Sequence, residues 1–152
     1  MPFTLIKLGL DFNFSENNWT NYYRLGNTRI VDAAVYWEPN GYKTIREGPH
    51  ISMNPLVCLS FQFKKPLNLG RGGAILCSSK EDYINLKKLA YDGRYGDTAW
   101  KDQDITTIGY HYYMTPETAI EGLTKLPTAI SNKEWNYNDY PYLPQFNVFR
   151  DR

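Results

Sequence analysis

Cysteine and histidine are scarce in this chain, with two of each among 152 residues. Cys58 and Cys77 are too few for a disulfide framework or a zinc site. Both lie in strand-like runs that a hairpin would bring together, but free buried thiols in a reducing compartment are the preferred interpretation. His50 and His111 are far apart in sequence and have no acidic cluster beside them, so we expect no metal centre.

A charge excess and long apolar runs are also lacking. The formal net charge of +1 argues against nucleic acid as a partner, because no basic face is evident. The opening MPFTLIKLGLDF has no basic segment and no long apolar core, and Asp11 interrupts it. Neither a signal peptide nor a membrane span or membrane partner is therefore expected, and the predicted location is cytoplasmic.

The composition is that of a folded domain, with 42% hydrophobic and 22% charged residues. We expect a single domain over residues 1–152, with an N-terminal arm (1–27), a core segment (28–127) and an extended aromatic tail (128–152). Aromatic residues make up 16% of the chain, and thirteen of them are tyrosines. Tyrosine is common in ligand clefts and interfaces, but it also serves in ordinary cores and surfaces.

Short apolar runs predict three strands and two helices. The strands are expected at residues 28–37, 55–61 and 72–78, after a strand or extended arm over 1–14. The segment 38–49 is expected to be a loop, or a hairpin around Asn40-Gly41. Segment 93–104 is expected to be a loop, and the tail is expected to be extended and to lie across a neighbour. The order of strands followed by helices suits part of a layered α/β fold.

Capping residues mark where the two helices begin. Ser78 or Ser79 is placed to cap a helix through EDYINLKKLAY, on which Lys87 and Lys88 are interpreted as a solvated face. Thr115-Pro116-Glu117 combines an N-cap, a proline at the first position and an acid in the first turn. The second helix should end near Pro127. Its apolar residues share one face: Ala119, Ile120, Leu123 and Leu126.

The stretch SFQFKKPLNLGRGGAIL, residues 60–76, is the main candidate for chemistry. A lysine is normally a solvated surface residue. Lys65, however, follows an apolar strand and precedes a glycine-rich turn, where a ligand can approach the backbone closely. The same glycines are also compatible with a plain turn between strands, and no Walker or dinucleotide pattern is met.

This stretch resembles the lysine segment of the DegT/DnrJ/EryC1/StrS family of pyridoxal-phosphate-dependent sugar aminotransferases. The similar pattern is Ser60-Phe61, a lysine five residues after the serine, and then Gly70-Arg71-Gly72-Gly73. The resemblance implies that Lys65 is the Schiff-base lysine for pyridoxal 5'-phosphate. It also implies that Ser60 binds the phosphate and that Lys64 is a solvated neighbour.

Two further segments fit the same order, so the resemblance covers about residues 28–127. RIVDAAVYW resembles the strand whose aspartate, here Asp32, faces the pyridine nitrogen. The sequence also leaves open that Asp32 merely caps a turn at a strand end. IGYHYYMTPETAIEGLTKL resembles the Gly-Tyr-Asn-Tyr-Arg-Met-Thr segment, which implies that His111 contributes to the phosphate site of a partner subunit.

The resemblance implies a fold and an activity. The fold would be α/β, a partial, truncated version of the fold-type I aminotransferase large domain, with a few mixed strands and two or more helices. The activity would be amino transfer to a nucleotide-linked keto-sugar by a truncated or split enzyme. The partner would be a second copy or a separate chain that supplies the missing half. The alternative is a catalytically inactive descendant that acts as a binding or assembly module.

The chain also departs from the family pattern. Val35 stands where a Gln or His near the ring oxygen is usual, Tyr113 replaces an Arg, and Arg71 replaces a residue that is often acidic. The family chain is more than twice as long, and its first half carries the phosphate cradle and the aromatic that stacks on the ring. Three interpretations stay open: half of a split enzyme, a shortened descendant without catalysis, or a fragment of a longer gene product.

Overall fold

The computed structural model describes residues 1–48 and 54–150. Within them the chain forms a mixed α/β structure with one four-stranded sheet and four α-helices. In chain order these elements are α1 (Pro2–Lys7), β1 (Tyr23–Arg24), β2 (Ile30–Asp32), α2 (Gly41–Glu47), β3 (Leu56–Ser60), β4 (Gly73–Leu76), α3 (Lys80–Ala90) and α4 (Pro116–Lys125).

The sheet has the order β1-β2-β3-β4 and mixes strand directions. β2 and β3 are parallel, while β1 and β4 run antiparallel to their neighbours. Parallel strands need a crossover connection, and the one between β2 and β3 contains α2. The predicted strands at 28–37, 55–61 and 72–78 are confirmed as β2, β3 and β4, although β2 is much shorter than its apolar run.

The core lies on one face of this sheet. Val31 and Val57 are fully buried neighbours in the parallel register, and Ile45 of α2 packs against them together with Ala33 and Tyr36. Because side chains alternate along a strand, the residues that directly precede and follow each of these valines point to the opposite face. That second face carries Asp32, Cys58 and Ser60 and is only half-buried.

The segment expected to be a loop or hairpin forms α2 instead. Asn40 adopts a left-handed φ of 61° and is the residue at which the helix begins, rather than the corner of a hairpin. Ile45 is buried, and Tyr42 packs against the core beside it. The prediction was therefore wrong because burial against the sheet decided a segment whose local turn signal was ambiguous. Pro49, the end of the predicted segment, lies outside the described residues.

The N-terminal segment, expected to be a strand or an extended arm, begins with the short helix α1. Pro2 occupies the first helical position, which a proline tolerates well. None of the six helical residues is buried. The ring of Phe3 lies 5.2 Å from that of Phe149, and the ring of Phe14 lies 5.4 Å from it, so a small aromatic cluster holds this segment.

The two predicted helices are confirmed, together with their caps. The Ser79 side chain accepts a hydrogen bond from the Asp82 amide, and Thr115 accepts one from Thr118. In α4, however, Gly122 is the buried residue, and it packs close to Leu69. Three large residues of the predicted apolar face are exposed to solvent: Ile120, Leu123 and Leu126.

The tail folds back onto its own chain. The Ser131 amide donates to the Trp37 carbonyl at 2.8 Å, and the Trp135 amide donates to the Asn21 side chain at 2.9 Å. Three single 3₁₀ turns interrupt it, so it is not continuously extended. None of the helices in residues 1–48 and 54–150 combines the length and apolarity that a membrane crossing needs.

Candidate functional site

The parallel pair brings two of the predicted site residues, Asp32 and Ser60, to one edge of the sheet. Asp32, at the end of β2, pairs with Cys58 of β3, and Ser60 follows two residues later on the same face. Lys65 lies in the loop that begins directly after β3. Ligands of α/β sheets bind outside the carboxyl ends of parallel strands, so this edge is the natural candidate site.

Asp32 is held by hydrogen bonds from its own chain. The Tyr23 hydroxyl donates to Asp32 Oδ2 at 2.9 Å, and the Ala34 amide donates to Oδ1 at 3.0 Å. The second bond is the turn cap that the sequence left open as an alternative. Burial and the neighbouring Asp32 carboxylate raise the pKa of Tyr23 far above its ordinary value, so its hydroxyl stays a donor. Each carboxylate oxygen can still accept one more bond.

Aromatic rings surround this carboxylate. Trp19 lies 5.0 Å from Tyr23 and 5.5 Å from Tyr140, between ring centroids. Burial, followed by the charge of Asp32, raises the pKa of Tyr140 and that of the Cys58 thiol. Cys58 is therefore a neutral thiol at neutral pH, and it forms no disulfide with Cys77.

The Ser60 hydroxyl donates no hydrogen bond within residues 1–48 and 54–150. Its Oγ accepts a hydrogen bond from the Gln62 amide at 3.4 Å, which leaves the hydroxyl hydrogen available. The side chain is half-buried at the end of β3. A hydroxyl in this state is suited to donate to an anionic oxygen.

Lys65 lies in a loop with a fixed base. The Phe61 amide donates to the Gly72 carbonyl at 2.9 Å, and buried Phe61 and Leu67 anchor the loop. The Lys65 amide closes a tight turn onto the Gln62 carbonyl at 2.8 Å. Lys65 is half-buried, and its ammonium forms no salt bridge within the described part of the chain. Lys64, by contrast, is exposed.

The backbone geometry of the turn explains why glycines follow Lys65. Gly70 and Gly72 have φ values of 83° and 105°, in the region that favours glycine. A Cβ at Gly73 would overlap the Leu59 carbonyl oxygen across the hairpin. The turn between β3 and β4 therefore requires this pattern whether or not a ligand is present. Arg71, between these glycines, is exposed.

His111 lies in a different part of the structure. Its Nδ1 is 3.1 Å from Asp92 Oδ2, its ring is 4.2 Å from that of Tyr113, and its backbone pairs with Tyr91. The hydrogen bond from His111 lowers the pKa of Asp92, and Arg94 adds to the effect. Within residues 1–48 and 54–150, the hydrogen bonds and ring contacts of His111 do not include the strand-end residues. The side chain is 68% exposed.

Two of the positions that depart from the family pattern have structural roles. Val35 is buried next to the core. Tyr113 stacks on Tyr91, with centroids 5.0 Å apart and planes 17° from parallel. These side chains contribute packing where the family has groups that contact the cofactor or substrate.

The structure also forms a cleft of about 530 Å³ that the sequence analysis missed. One wall is α3, where Tyr83 and Lys87 share a face, together with Tyr91, which directly follows the helix at the same interval of four residues. The other wall is the loop after the helix, which includes Arg94 and Trp100. The helical spacing of the two tyrosines and the lysine was a signal in the sequence, but its meaning depends on the loop that faces it.

The described residues offer no group of His, Cys, Asp and Glu side chains arranged for a metal ion. His50 lies outside the described residues. Comparisons with family models, curated proteins and solved structures find no match to this chain. The chemistry of the strand-end residues and of the cleft therefore carries the functional proposals.

Proposed function

We propose that this chain is a truncated or split pyridoxal-phosphate-dependent aminotransferase-like protein in which Lys65 is the covalent attachment point. The supporting observation is the parallel β2–β3 pair, which puts Asp32 and Ser60 on one face at the strand ends, just before the Lys65 loop. In this proposal the sheet is part of a fold-type I large domain. Segments beyond this chain supply the rest of the phosphate cradle.

The donor set fits pyridoxal 5'-phosphate in three respects. A lysine amine is the group that reacts with its aldehyde, and Lys65 has no ionic partner in the described chain. Asp32 keeps spare acceptor capacity for the ring nitrogen, and Ser60 keeps a spare hydrogen for a phosphate oxygen. When bound, the group supplies an electron sink for amino transfer.

The residues of the chain then have separate roles. Lys65 would hold the group covalently, and its free amine would be the base available to move a proton. Asp32, oriented by Tyr23 and the Ala34 amide, would hold the ring nitrogen in its protonated form. The exposed His111 contributes to the phosphate site of a second subunit, so the proposal includes a homo-oligomer or a separate partner chain. The proposed acceptor is a nucleotide-linked keto-sugar, and the unpaired thiols are compatible with the cytoplasm.

A second candidate function is a binding or assembly module without catalysis. Large apolar side chains on the loop before α4 and on α4 itself are exposed, including Ile108 at 88% and Leu123 at 71%. Exposed apolar surface of this kind is typical of interaction sites. The hydrogen bonds that Asp32 accepts from its own chain also give it a structural role without any cofactor.

The test is covalent capture at one lysine. The purified protein is mixed with pyridoxal 5'-phosphate, its visible absorbance is recorded, and borohydride reduction is followed by peptide mass mapping. We expect a new absorbance band and a reduced adduct on Lys65, because its amine has no salt-bridge partner among the described residues and its loop begins directly after the strand end that carries Ser60. Lys65→Ala should remove the band, while the matched control Lys64→Ala should keep it.

Adducts spread evenly over many lysines, or an unchanged band in Lys65→Ala, would contradict the proposal. The binding-module function would then be favoured. Circular dichroism of both variants shows whether either change has affected folding rather than chemistry.

A further inference from the structure

The cleft beside α3 has two walls that are fixed by the fold. Tyr83 and Lys87 belong to a regular helix capped by Ser79, and Tyr91 is the residue directly after its C-terminal end. In the facing loop, the Gln103 side chain accepts from the Tyr95 amide at 3.1 Å and donates to the Thr98 carbonyl at 2.6 Å. The cleft has a volume of about 530 Å³, which lies in the range of small-molecule sites.

Aromatic rings supply flat surfaces in this cleft. Trp100 is 66% exposed, so much of the indole is open to a ligand. Tyr83 and Tyr95 meet edge to face, with centroids 6.4 Å apart, and both remain partly exposed. Exposed rings that converge on one cleft are stacking platforms for a planar ligand.

Two cations lie on these rings. The Lys87 ammonium is 3.9 Å from the Tyr91 centroid and forms no salt bridge in the described chain. The Arg94 guanidinium lies 4.7 Å from the Trp100 ring, and Asp92 and the Tyr91 carbonyl hold it in place. Its remaining N–H groups have no hydrogen-bond partner in the described part of the chain, and a guanidinium fork matches the oxygens of a phosphate or a carboxylate.

We propose that this cleft binds a mononucleotide. The base would stack on Trp100, the phosphate would accept hydrogen bonds from Lys87 and Arg94, and the Asp97 carboxylate on the same wall would accept from ribose hydroxyls. A planar ring, an anion and hydroxyls in one molecule match the three kinds of group that line the cleft. The low net charge of the chain favours a free nucleotide over a single-stranded nucleic acid.

This site is separate from the proposed covalent site, because Lys65 does not line the cleft. The two proposals can therefore fail independently. Lys65→Ala should bind a nucleotide as the wild type does, even though it loses the covalent adduct.

Calorimetric titration with adenosine 5'-monophosphate tests the site. We expect saturable binding, and we expect adenosine or inorganic phosphate alone to bind at least about tenfold more weakly, because each lacks one half of the contacts. Trp100→Ala and Lys87→Ala should each weaken binding about tenfold. Lys101→Ala is the matched control, since Lys101 is exposed next to Trp100 and does not line the cleft.

Wild-type protein gives a second readout that does not depend on variants. The indole N–H signal of Trp100 in a nitrogen-15 spectrum should shift with the nucleotide, and the other three tryptophans should not. No saturable binding at millimolar nucleotide, or equal binding by wild type and both cleft variants, would overturn the proposal. If an octamer of deoxyadenosine binds more tightly than the monophosphate at equal nucleotide concentration, the site stands and its ligand is a single strand.

Discussion

At the scale of single residues, burial of the Tyr42 hydroxyl lowers the stability of the fold. This hydroxyl is fully buried and has no hydrogen-bond partner in the described structure. The hydroxyl of neighbouring Tyr36, also buried, donates to Glu38 at 3.1 Å. The two tyrosines pack in the same core, so they form a matched pair for measuring the effect of one hydroxyl.

We expect Tyr42→Phe to raise the free energy of unfolding by about 1 kcal/mol, because it removes a buried group that has lost its water without gaining a partner. Tyr36→Phe should lower the free energy of unfolding by about 1 kcal/mol, since it breaks a bond. Urea denaturation of both variants measures the difference. A loss of stability in Tyr42→Phe as large as that in Tyr36→Phe would show that the Tyr42 hydroxyl is satisfied in solution.

The sequence predicted that Asp32 and Ser60 lie at strand ends, but it did not predict which side chains surround them. The end of an apolar run places Asp32 and Ser60 at strand ends, and parallel pairing then brings them to one edge. Tyr23 could not be predicted, because β1 has two residues and its pairing with β2 leaves no periodic pattern. His111 was placed with this site by resemblance, while its position beside Asp92 depends on a contact between distant segments.

At the scale of elements, the end of α3 depends on a close backbone crossing. Gly93 has a φ of 82°, and a Cβ there would overlap the Thr107 carbonyl oxygen and the Ile105 side chain. A Cβ at Gly109 would in turn overlap the backbone of residues 92 and 93. This crossing holds the segment with His111 against the helix, and it also sets where the loop wall of the cleft beside α3 begins.

Gly93→Ala should therefore destabilise the protein by about 2 kcal/mol more than Gly96→Ala. Gly96 is the matched control, because its φ of 84° is nearly the same and a Cβ there meets nothing within 4 Å. Both alanines suffer the left-handed backbone, but only the one at position 93 must also force two segments apart. Thermal unfolding of the two variants measures this. Equal melting temperatures would show that the crossing gives way without cost.

Local signals predicted some elements and failed for others. β3, β4 and the two capped helices were predictable, because an apolar run or a Ser or Thr cap defines each of them within a few residues. α2 was not, since Asn40-Gly41 suits a hairpin as well as a helix start and Ile45 shows its role only against the sheet. The loop wall of the cleft was equally unpredictable, because a distant glycine crossing shapes it.

At the scale of the whole molecule, the ion pair of Arg29 and Asp82 joins two segments that are far apart in sequence. Arg29, just before β2, forms two hydrogen bonds to Asp82 in the first turn of α3, at 2.9 and 2.7 Å. These bonds lower the pKa of Asp82. The pKa of Asp139 is also lowered, first by the Asn136 amide and then by Lys133.

A carboxyl whose pKa is lower in the folded state contributes stability above its unfolded pKa, near 4, and loses it as the pH falls through the folded value. We therefore expect the free energy of unfolding to be nearly constant from about pH 7 to 5 and to fall below about pH 4. In Asp82→Asn the free energy of unfolding should decrease less at low pH, because one carboxyl group with a lowered pKa has been removed. Urea titrations at several pH values measure the free energy of unfolding of the wild type and of Asp82→Asn. If both proteins lose the same amount of stability on acidification, the role of this ion pair is contradicted.

The aromatic cluster of Phe3, Phe14 and Phe149 joins segments that are synthesised far apart in time. Phe3 and Phe14 pack on Phe149, and a helix as short as α1 does not persist in water without such packing. At translation rates of about 5–20 residues per second, Phe149 is synthesised many seconds after Phe3 and Phe14. We expect the first fourteen residues to be sensitive to protease on nascent chains that already contain the whole sheet, and to become protected only when Phe149 has left the exit tunnel.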